Sequence, residues 1–400
     1  MSFCLRLLLG RRLIMMTLMN RLPDNFQLPG FVDMHVHLRE PGNNHAETIA
    51  SGTLSAALAG YVLLGDMPNN PGAETWTEAA LIDKQDRQQR TGYIPYAAHS
   101  GSQPASDNIG ELAAMARRSL LLKFYAGKTT GNKQDHEAAE FMEATTVWHR
   151  ADPNRPIGLH AGKENLSDFI GMIASNFRHP LHIHHISDPE DVKIVMHAKK
   201  MGLPVTCGVT PHHLLKNSQA TMTDGWFARM MPPLSHQTDS EQLMRQLADG
   251  EIDVIESDHA PHFPDGKFKA ETENPAGTEH DGDTTCFGVP GIELIPQLLL
   301  YQVERGNISI ERLVEAMSTR PAQILGVTIS PDTRSSWKRD VYRIDNETNY
   351  AVSGSGWTPY LGMLAAGRLE ALVIRRAPII AAKRIIQRRG DYISQRGTVI

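Results

Sequence analysis

The chain has 400 residues, a net charge of −5 and 41% hydrophobic residues, which is typical of a folded globular enzyme and excludes a disordered or fibrous chain. The slightly negative charge gives no reason to expect nucleic acid or an acidic membrane surface as a partner. No apolar run is long enough to span a bilayer, and the three scattered cysteines fit a reducing compartment, so we expect a cytoplasmic protein.

The beginning of the chain is basic. Residues 1–23 contain four arginines and no acid. The apolar run Leu7–Leu9 is too short for a secretory signal, which leaves an organelle transit peptide or a start codon assigned too early as alternatives. We expect residues 1–27 to form a disordered arm.

From Gly30 onward, strand-like and helix-like stretches alternate. The strand-like runs are Phe31–Leu38, Tyr61–Met67, Tyr93–His99, Leu120–Tyr125, Ile157–His160, Leu181–Ile186, Pro204–Val209 and Ile252–Ser257. Alternation with helices implies parallel strands, and eight runs in about 230 residues predict an α/β fold of the TIM-type (β/α)8 barrel kind. An open doubly wound sheet is the alternative, but no Gly-x-Gly-x-x-Gly turn follows a strand. The predicted barrel spans residues 28–328, and a partly β C-terminal extension spans residues 329–400.

The first strand carries a polar pattern. Apolar and polar residues alternate from Val32 to Leu38, so Asp33, His35 and His37 share one face of the strand. Two histidines beside a carboxylate suit a divalent metal with nitrogen ligands. A merely polar strand face is the alternative for this motif alone.

Further polar residues lie in or just after the other strands. They are Asn69, Lys123, His160, His185, Asp258 and His262. Catalytic residues of barrel enzymes come from the carboxyl ends of several strands, so these side chains are candidates for one site. Lys123 stands in the apolar run Leu120–Tyr125, where an unpaired ammonium would be costly unless it were neutralised or paired.

The chain resembles the dihydroorotases of the amidohydrolase superfamily, including the dihydroorotase domain of the animal multifunctional pyrimidine-synthesis polypeptide and related bacterial enzymes. The matching stretches are Leu28–Gly42, Asp66–Asn69, Leu122–Tyr125, His182–Ile186, Val205–Leu214 and Ser257–His262, with a weaker match at Gly354–Tyr360. The pair His-Leu-Arg-Glu-Pro-Gly and Asp-His-Ala-Pro-His favours dihydroorotases over hydantoinases and allantoinases.

The resemblance implies two Zn²⁺ ions. The six implied ligands are His35, His37, Lys123, His160, His185 and Asp258. The first two histidines would bind one zinc and the last two the other, and a carbamylated lysine would bridge them. The aspartate would touch the first zinc and act as general acid and base.

The resemblance also implies a substrate site. Arg39, Asn69 and His262 would hold the substrate, and Thr129 and Thr130 would lie in a loop that closes on it. The implied reaction is the reversible cyclisation of N-carbamoyl-L-aspartate to (S)-dihydroorotate in pyrimidine (UMP) biosynthesis. The expected partner is this small molecule, with a homo-oligomer left open.

Two other functions compete with this one. Another cyclic amidase, such as an allantoinase or a hydantoinase, would share the metals and differ at the substrate contacts. A non-catalytic dihydroorotase homologue would instead scaffold a partner such as aspartate transcarbamoylase. Such homologues usually lose metal ligands, and this chain keeps every one.

Some residues depart from the family or need another role. Met231 and Ser235 stand where the family usually has asparagine and arginine, and Asn70 stands where it often has threonine. The loss of the asparagine and the arginine could alter substrate contacts or loop anchoring. By strand alternation His184 points away from His185 and packs behind the site. We expect His213 to orient the loop after the seventh strand, and several other histidines, His179 among them, to lie on the surface.

Overall fold

The computed structural model describes residues 22–102, 109–126, 138–161, 165–273, 286–345 and 354–400. The strands are β1 Asn25–Pro29, β2 Phe31–Val36, β3 Tyr61–Asp66, β4 Tyr96–Ala98, β5 Ser100–Gly101, β6 Leu122–Ala126, β7 Ile157–Ala161, β8 Leu181–Ile183, β9 Val205–Val209, β10 Val254–Ile255, β11 Arg334–Arg343, β12 Leu364–Ile374, β13 Ala377–Ala381 and β14 Arg384–Ile385.

Helices separate most of the strands. They are α1 Ile49–Leu58, α2 Glu78–Thr91, α3 Leu112–Met115, α4 Ala138–Ala151, α5 Leu166–Asn176, α6 Pro189–Lys200, α7 Pro211–Leu215, α8 Gln219–Thr223, α9 Gln237–Ala248, α10 Pro264–Glu273, α11 Ile295–Glu304, α12 Ile310–Val314 and α13 Arg320–Leu325. None of these helices combines the length and the apolar character needed to cross a membrane.

Strands β2 to β10 form two parallel sheets that follow the order of the chain. One sheet has the order β2-β3-β4 and the other the order β10-β9-β8-β7-β6-β5. Only His99 separates β4 from β5, and Val36 forms a parallel bridge with His259, which follows β10. The predicted α/β fold with alternating strands and helices is therefore confirmed, although the described ladders do not form one continuous closed sheet.

The strands of the parallel sheets are buried on both faces. Every residue of β2, β3 and β6 is buried, which explains why β3 and β6 are nearly continuous apolar runs in the sequence. In β2 the polar residues Asp33 and His35 alternate with apolar ones and are buried as well. The helices that cover them begin at clear caps: the Thr48 hydroxyl accepts from the Ser51 amide before α1, and the Asp188 carboxylate accepts from the Glu190 amide before α6. Any polar side chain in these strands must therefore find its partners inside the protein.

A separate antiparallel sheet joins the two ends of the chain. Its order is β1-β11-β12-β13-β14, with Asn25 opposite Lys338 and Pro29 opposite Arg334. Residues 25–27 thus form a strand, which corrects the prediction that the disordered arm extends to residue 27. Trp337 of β11 packs 6.2 Å from Phe31 between ring centroids, so this sheet is fixed to the start of β2.

His179 is buried, which corrects its predicted surface position. Its Nε2 donates to the Arg155 carbonyl at 2.8 Å, and its Nδ1 lies 2.9 Å from Nδ1 of His149. Burial lowers the pKa of His179 to about 4. The neighbours Arg178 and Pro180 suggest an exposed turn, whereas the partner that satisfies the buried ring, the Arg155 carbonyl, is distant in sequence.

The buried His179 predicts a loss of stability in mild acid. Its pKa is about 6.5 when unfolded and about 4 when folded, so between these values the unfolded chain binds a proton that the folded protein excludes. The free energy of unfolding should fall as pH decreases through this window, by at most about 3 kcal/mol from this residue. Urea unfolding at pH 7.5 and pH 5 should show a smaller pH effect in His179→Gln than in the wild type.

The matched control is His197→Gln, because His197 lies exposed on α6. This control should keep the wild-type difference between the two pH values. An equal pH effect in His179→Gln and the wild type would contradict the assignment.

Candidate metal centre

Three ligand atoms converge where β2 ends. Nε2 of His35 lies 3.2 Å from Nε2 of His37, and Oδ1 of Asp258 lies 3.4 Å from the first nitrogen and 3.0 Å from the second. Ligand atoms about 2.0–2.1 Å from a tetrahedral zinc ion are about 3.3 Å apart. The three atoms therefore have the spacing of ligands around one divalent ion.

A second pair of histidines lies beside this group. Nδ1 of His160, on β7, is 2.9 Å from Nε2 of His185, which follows β8. The ring centroids of His35 and His185 are 5.0 Å apart. The structure thus places two sets of nitrogen atoms next to each other, and the first set, together with Asp258, is a group that could hold a metal ion.

Lys123 projects from β6 into the interior. The side chain is fully buried, and its Nζ has no hydrogen-bond partner among the described residues. Burial lowers the pKa of Lys123 to about 7, against an opposing effect of Glu256 and Asp258. A neutral amine in this position is a nucleophile that can take up carbon dioxide, so the orphaned group fits a carbamate ligand.

Burial also favours the neutral form of two imidazoles at the site. It lowers the pKa of His35 well below its usual value, helped by Lys123, and lowers that of His185 in the same way, helped by His160 and Lys123. Neutral imidazole is the form that binds a metal. The residues present therefore fit a pair of divalent ions in both donor type and protonation state.

Two of these residues have strained backbones. His185 has φ 39° and Asp258 has φ 47°, a left-handed conformation that costs about 1–3 kcal/mol for such residues. Such strain persists where the surroundings fix the residue, and it is common at functional sites. The amino-acid pattern alone gives no sign of either conformation.

Asp33 ties two strand ends together. Its carboxylate accepts from the His35 amide at 3.0 Å and from the Ser257 amide at 3.2 Å. Asp33 shares the face of the two histidines, but its oxygens bind backbone amides and leave the metal positions to Asp258. It holds the end of β2 beside the residues that follow β10.

The structure brings two of the predicted substrate residues together. Nη2 of Arg39 lies 3.1 Å from Nε2 of His262, and Nε of Arg39 donates to the Pro261 carbonyl at 2.9 Å. The side chain of Asn69 is half-buried, and its Oδ1 has no partner among the described residues. Thr129 and Thr130 lie outside the described residues.

The positions that depart from the family contribute to loop structure. Asn70, which stands where the family often has threonine, donates to the Arg39 carbonyl at 2.8 Å. Ser235 donates to the Ser187 carbonyl at 2.7 Å, and Met231 packs against a small buried aromatic cluster. Nε2 of His213 lies 3.1 Å from the Pro232 carbonyl, so this histidine contacts the loop that the sequence predicted it would orient.

Glu256 is a site residue that sequence reasoning missed. It is fully buried, and its Oε2 accepts from Nδ1 of His184 at 2.7 Å. Burial raises the pKa of this carboxyl, but interactions with His182 and His35 outweigh burial and lower it below the usual value. The sequence feature that could have identified Glu256 is its position, like that of Asp253, as an acidic residue inside the strand-like run Ile252–Ser257.

Comparison with known proteins agrees with this geometry. The sequence profile of the "Amidohydrolase family" matches residues 26–330. The chain is 29% identical over 382 residues to a dihydroorotase of Macrococcus caseolyticus, covering 88% of this chain and 87% of that protein. It is 30% identical over 357 residues to the multifunctional protein CAD of Squalus acanthias, covering 87% of this chain but only 15% of the length of CAD.

A solved structure shares the fold. The L-hydantoinase (dihydropyrimidinase) of Arthrobacter aurescens superposes with a TM-score of 0.78 at 21% identity, covering 92% of this chain and 88% of that one. The resemblance to dihydroorotases that the sequence motifs indicated is confirmed by the similarity over most of the chain. The chain therefore belongs to the amidohydrolase family of metal-dependent hydrolases.

Proposed function

We propose that the protein is a zinc-dependent dihydroorotase, which reversibly cyclises N-carbamoyl-L-aspartate to (S)-dihydroorotate in pyrimidine biosynthesis. The observation that carries this proposal is the convergence of His35, His37 and Asp258 at 3.0–3.4 Å, beside a second histidine pair. Similarity to a bacterial dihydroorotase over 88% of the chain supports the choice of substrate.

The proposed architecture is a closed (β/α)8 barrel of residues 28–328, with a C-terminal extension of residues 329–400. Strands β2 to β10 follow the order of the chain, with β4 and β5 forming one strand interrupted at His99. The Val36–His259 bridge joins the first strand to the residues after the last. Such closure would bring the carboxyl ends of all eight strands to one face, where barrel enzymes have their sites.

The six predicted ligands would divide between two zinc ions. The ligand set is His35, His37, Lys123, His160, His185 and Asp258. The first two histidines and the aspartate would hold one ion, and the last two histidines the other. The amine of the lysine would attack carbon dioxide and lose a proton, which gives a carbamate that serves both. When bound, the zinc ions polarise a carbonyl oxygen and lower the pKa of water.

The protein's own groups would handle the proton and the substrate. The Asp258 carboxylate would accept a proton from the attacking water and pass it to the departing ring nitrogen. Arg39 would bind the substrate carboxylate through two parallel hydrogen bonds, and its contact with the Pro261 carbonyl fixes the guanidinium plane. His262 and Asn69 would orient the ring. In the cyclisation direction the same proton returns along the same path.

The competing functions are less well supported. A hydantoinase or allantoinase would share the metal ligands, but Arg39 is buried beside His262 and suits a substrate with a carboxylate. A non-catalytic scaffold would not need the complete set of ligands that this chain retains. A cytoplasmic location and a homo-oligomer stay predictions.

A side-by-side assay tests the proposed function. We expect the purified protein to hold two zinc ions per chain and to turn over dihydroorotate, with allantoin and a hydantoin near background. Metal content and product formation would be measured on one preparation. Faster turnover of the hydantoin or allantoin would identify another cyclic amidase, and a fully loaded protein without turnover would favour the scaffold.

Replacement of Lys123 should have opposite effects on metal binding and on folding. Lys123→Met keeps a long unbranched side chain but removes the buried, unpartnered amine. We expect zinc content and activity to fall, while the metal-free protein gains about 1–3 kcal/mol of stability because a buried unpaired polar group is gone. Urea unfolding after chelation and metal analysis would measure the two effects.

The control for this pair of measurements is Lys193→Met, since Lys193 is exposed on α6. It should change neither quantity. A Lys123→Met protein with full zinc and normal activity would show that the amine has no role at the metals.

Replacement of Arg39 should weaken substrate binding alone. Arg39→Met removes a charge-assisted contact worth about 1.5–3 kcal/mol, so KM should rise at least tenfold while zinc content stays the same. Arg376→Met is the control, because Arg376 is exposed and pairs with Asp332 on the surface. An unchanged KM in Arg39→Met would refute the role of this residue.

A further inference from the structure

A buried polar layer lies directly behind the candidate metal ligands. It consists of Glu256, His184 and His182, and each is fully or almost fully buried. Nδ1 of His184 donates to Oε2 of Glu256 at 2.7 Å, and Nε2 of His182 lies 3.4 Å from the same oxygen. Nδ1 of His182 is 2.8 Å from the Thr206 hydroxyl on β9. Polar groups this deep are otherwise expensive, so their presence needs a function.

Two glycines on the strands that flank β8 make room for this layer. A Cβ at Gly208, on β9, would lie 2.6 Å from Oε1 of Glu256, and a Cβ at Gly158, on β7, would lie 2.4 Å from Nε2 of His184. Any side chain at these positions would collide with the polar groups. Glycine weakens a strand, so these two residues reduce the stability of β7 and β9. They leave the space that the carboxylate of Glu256 and the imidazole of His184 occupy.

The carboxylate of Glu256 reaches both metal subsites. Its Oε1 accepts the backbone N–H of His185, a ligand candidate of the second subsite. Its Oε2 lies 3.8 Å from Nδ1 of His35, whose opposite nitrogen, Nε2, faces His37 and Asp258 in the first subsite. Nδ1 of His35 has no hydrogen-bond partner among the described residues, and the Glu256 carboxylate is the acidic group that it faces.

This arrangement matches a general feature of metal sites. A ligating histidine usually donates its second ring N–H to a carboxylate, which fixes the tautomer and the ring orientation. The backbone contact adds another effect, because His185 has φ 39° and such a conformation persists only where neighbouring groups hold it. One side chain thus faces a ring of one subsite and accepts a hydrogen bond from the backbone of the other.

The charge of Glu256 also points toward the metals. Its ion-pair contacts in the described ranges are all with histidines, namely His35, His182 and His184. A buried carboxylate without a cation is strongly unfavourable, whereas two divalent ions in the adjacent layer would offset its charge.

We propose that Glu256 is a positioning residue that supports both metal subsites at once, by orienting the His35 ring and by holding the strained backbone of His185. This inference rests on the proposed function, because it presupposes two metal ions at the predicted ligands. It adds a carboxylate that lies outside the six predicted ligands and whose removal weakens zinc binding at both subsites.

The test is a zinc titration of Glu256→Gln, which keeps the shape of the side chain and removes its charge. Zinc affinity would be measured by competition with a chromophoric chelator, and stoichiometry by metal analysis. We expect both zinc ions to bind about 10–100-fold more weakly than in the wild type, the usual cost of losing such a partner. Urea unfolding of the metal-free variant should show no matching loss of stability.

Two further variants separate positioning from packing. Asp253→Asn removes another buried carboxylate, which lies just before β10 and pairs with Lys199 and Arg320. It should lower the urea midpoint and leave zinc affinity unchanged. Gly208→Ala retains Glu256 but displaces its carboxylate, and it should weaken zinc binding in the same direction as Glu256→Gln.

Three outcomes of the zinc titration would overturn one or both proposals. If the wild type binds two zinc ions and Glu256→Gln binds them equally tightly, the role of Glu256 is overturned and the proposed function stands. Loss of affinity at only one subsite would overturn the shared support. If the wild type binds no zinc, the proposed function and this inference both fail.

Discussion

At the candidate metal centre, the ligand atoms of residues from different strands approach each other closely. Donor atoms of His35, His37 and Asp258 are 3.0–3.4 Å apart, and those of His160 and His185 are 2.9 Å apart. Lone pairs that face each other at this distance repel unless a proton or a cation lies between them. A neutral imidazole can place its one ring proton between two such atoms, and a metal cation can lie between all three atoms of the first group, whose spacing suits one divalent ion.

The backbone at two of these ligand candidates is strained. His185 and Asp258 adopt left-handed conformations, and contacts on either side hold them there. Asp33 accepts amide protons from His35 and Ser257, which joins the end of β2 to the residue before Asp258. Strain at the ligands is thus offset by hydrogen bonds that lie one layer further from the ligand atoms.

The part of the site that lies on strands was accessible from the sequence. A two-residue period placed His35 and His37 on one face, and the apolar run around Lys123 marked the lysine as unusual. Sequence reasoning missed Glu256 because its role depends on contacts with histidines in and just after β8. These histidines are distant in sequence and approach Glu256 only in the folded sheet. The burial of His179 and the pairing of β1 with β11 have the same origin, since both depend on partners that no local pattern identifies.

The polar side chains in the loops near the predicted substrate site differ from the metal ligands, because they contact backbone carbonyls. Asn70 supports the Arg39 carbonyl, Ser235 holds the Ser187 carbonyl, and His213 contacts the Pro232 carbonyl. Two of these residues belong to the stretches where the chain departs from its family, and both use their polar groups on the backbone. Because these contacts anchor loops and leave the ligand atoms untouched, the changes at these positions can alter the shape of the substrate site while the metal chemistry stays the same. Under the proposed function, the choice among cyclic amides would depend on where Arg39 and His262 are held.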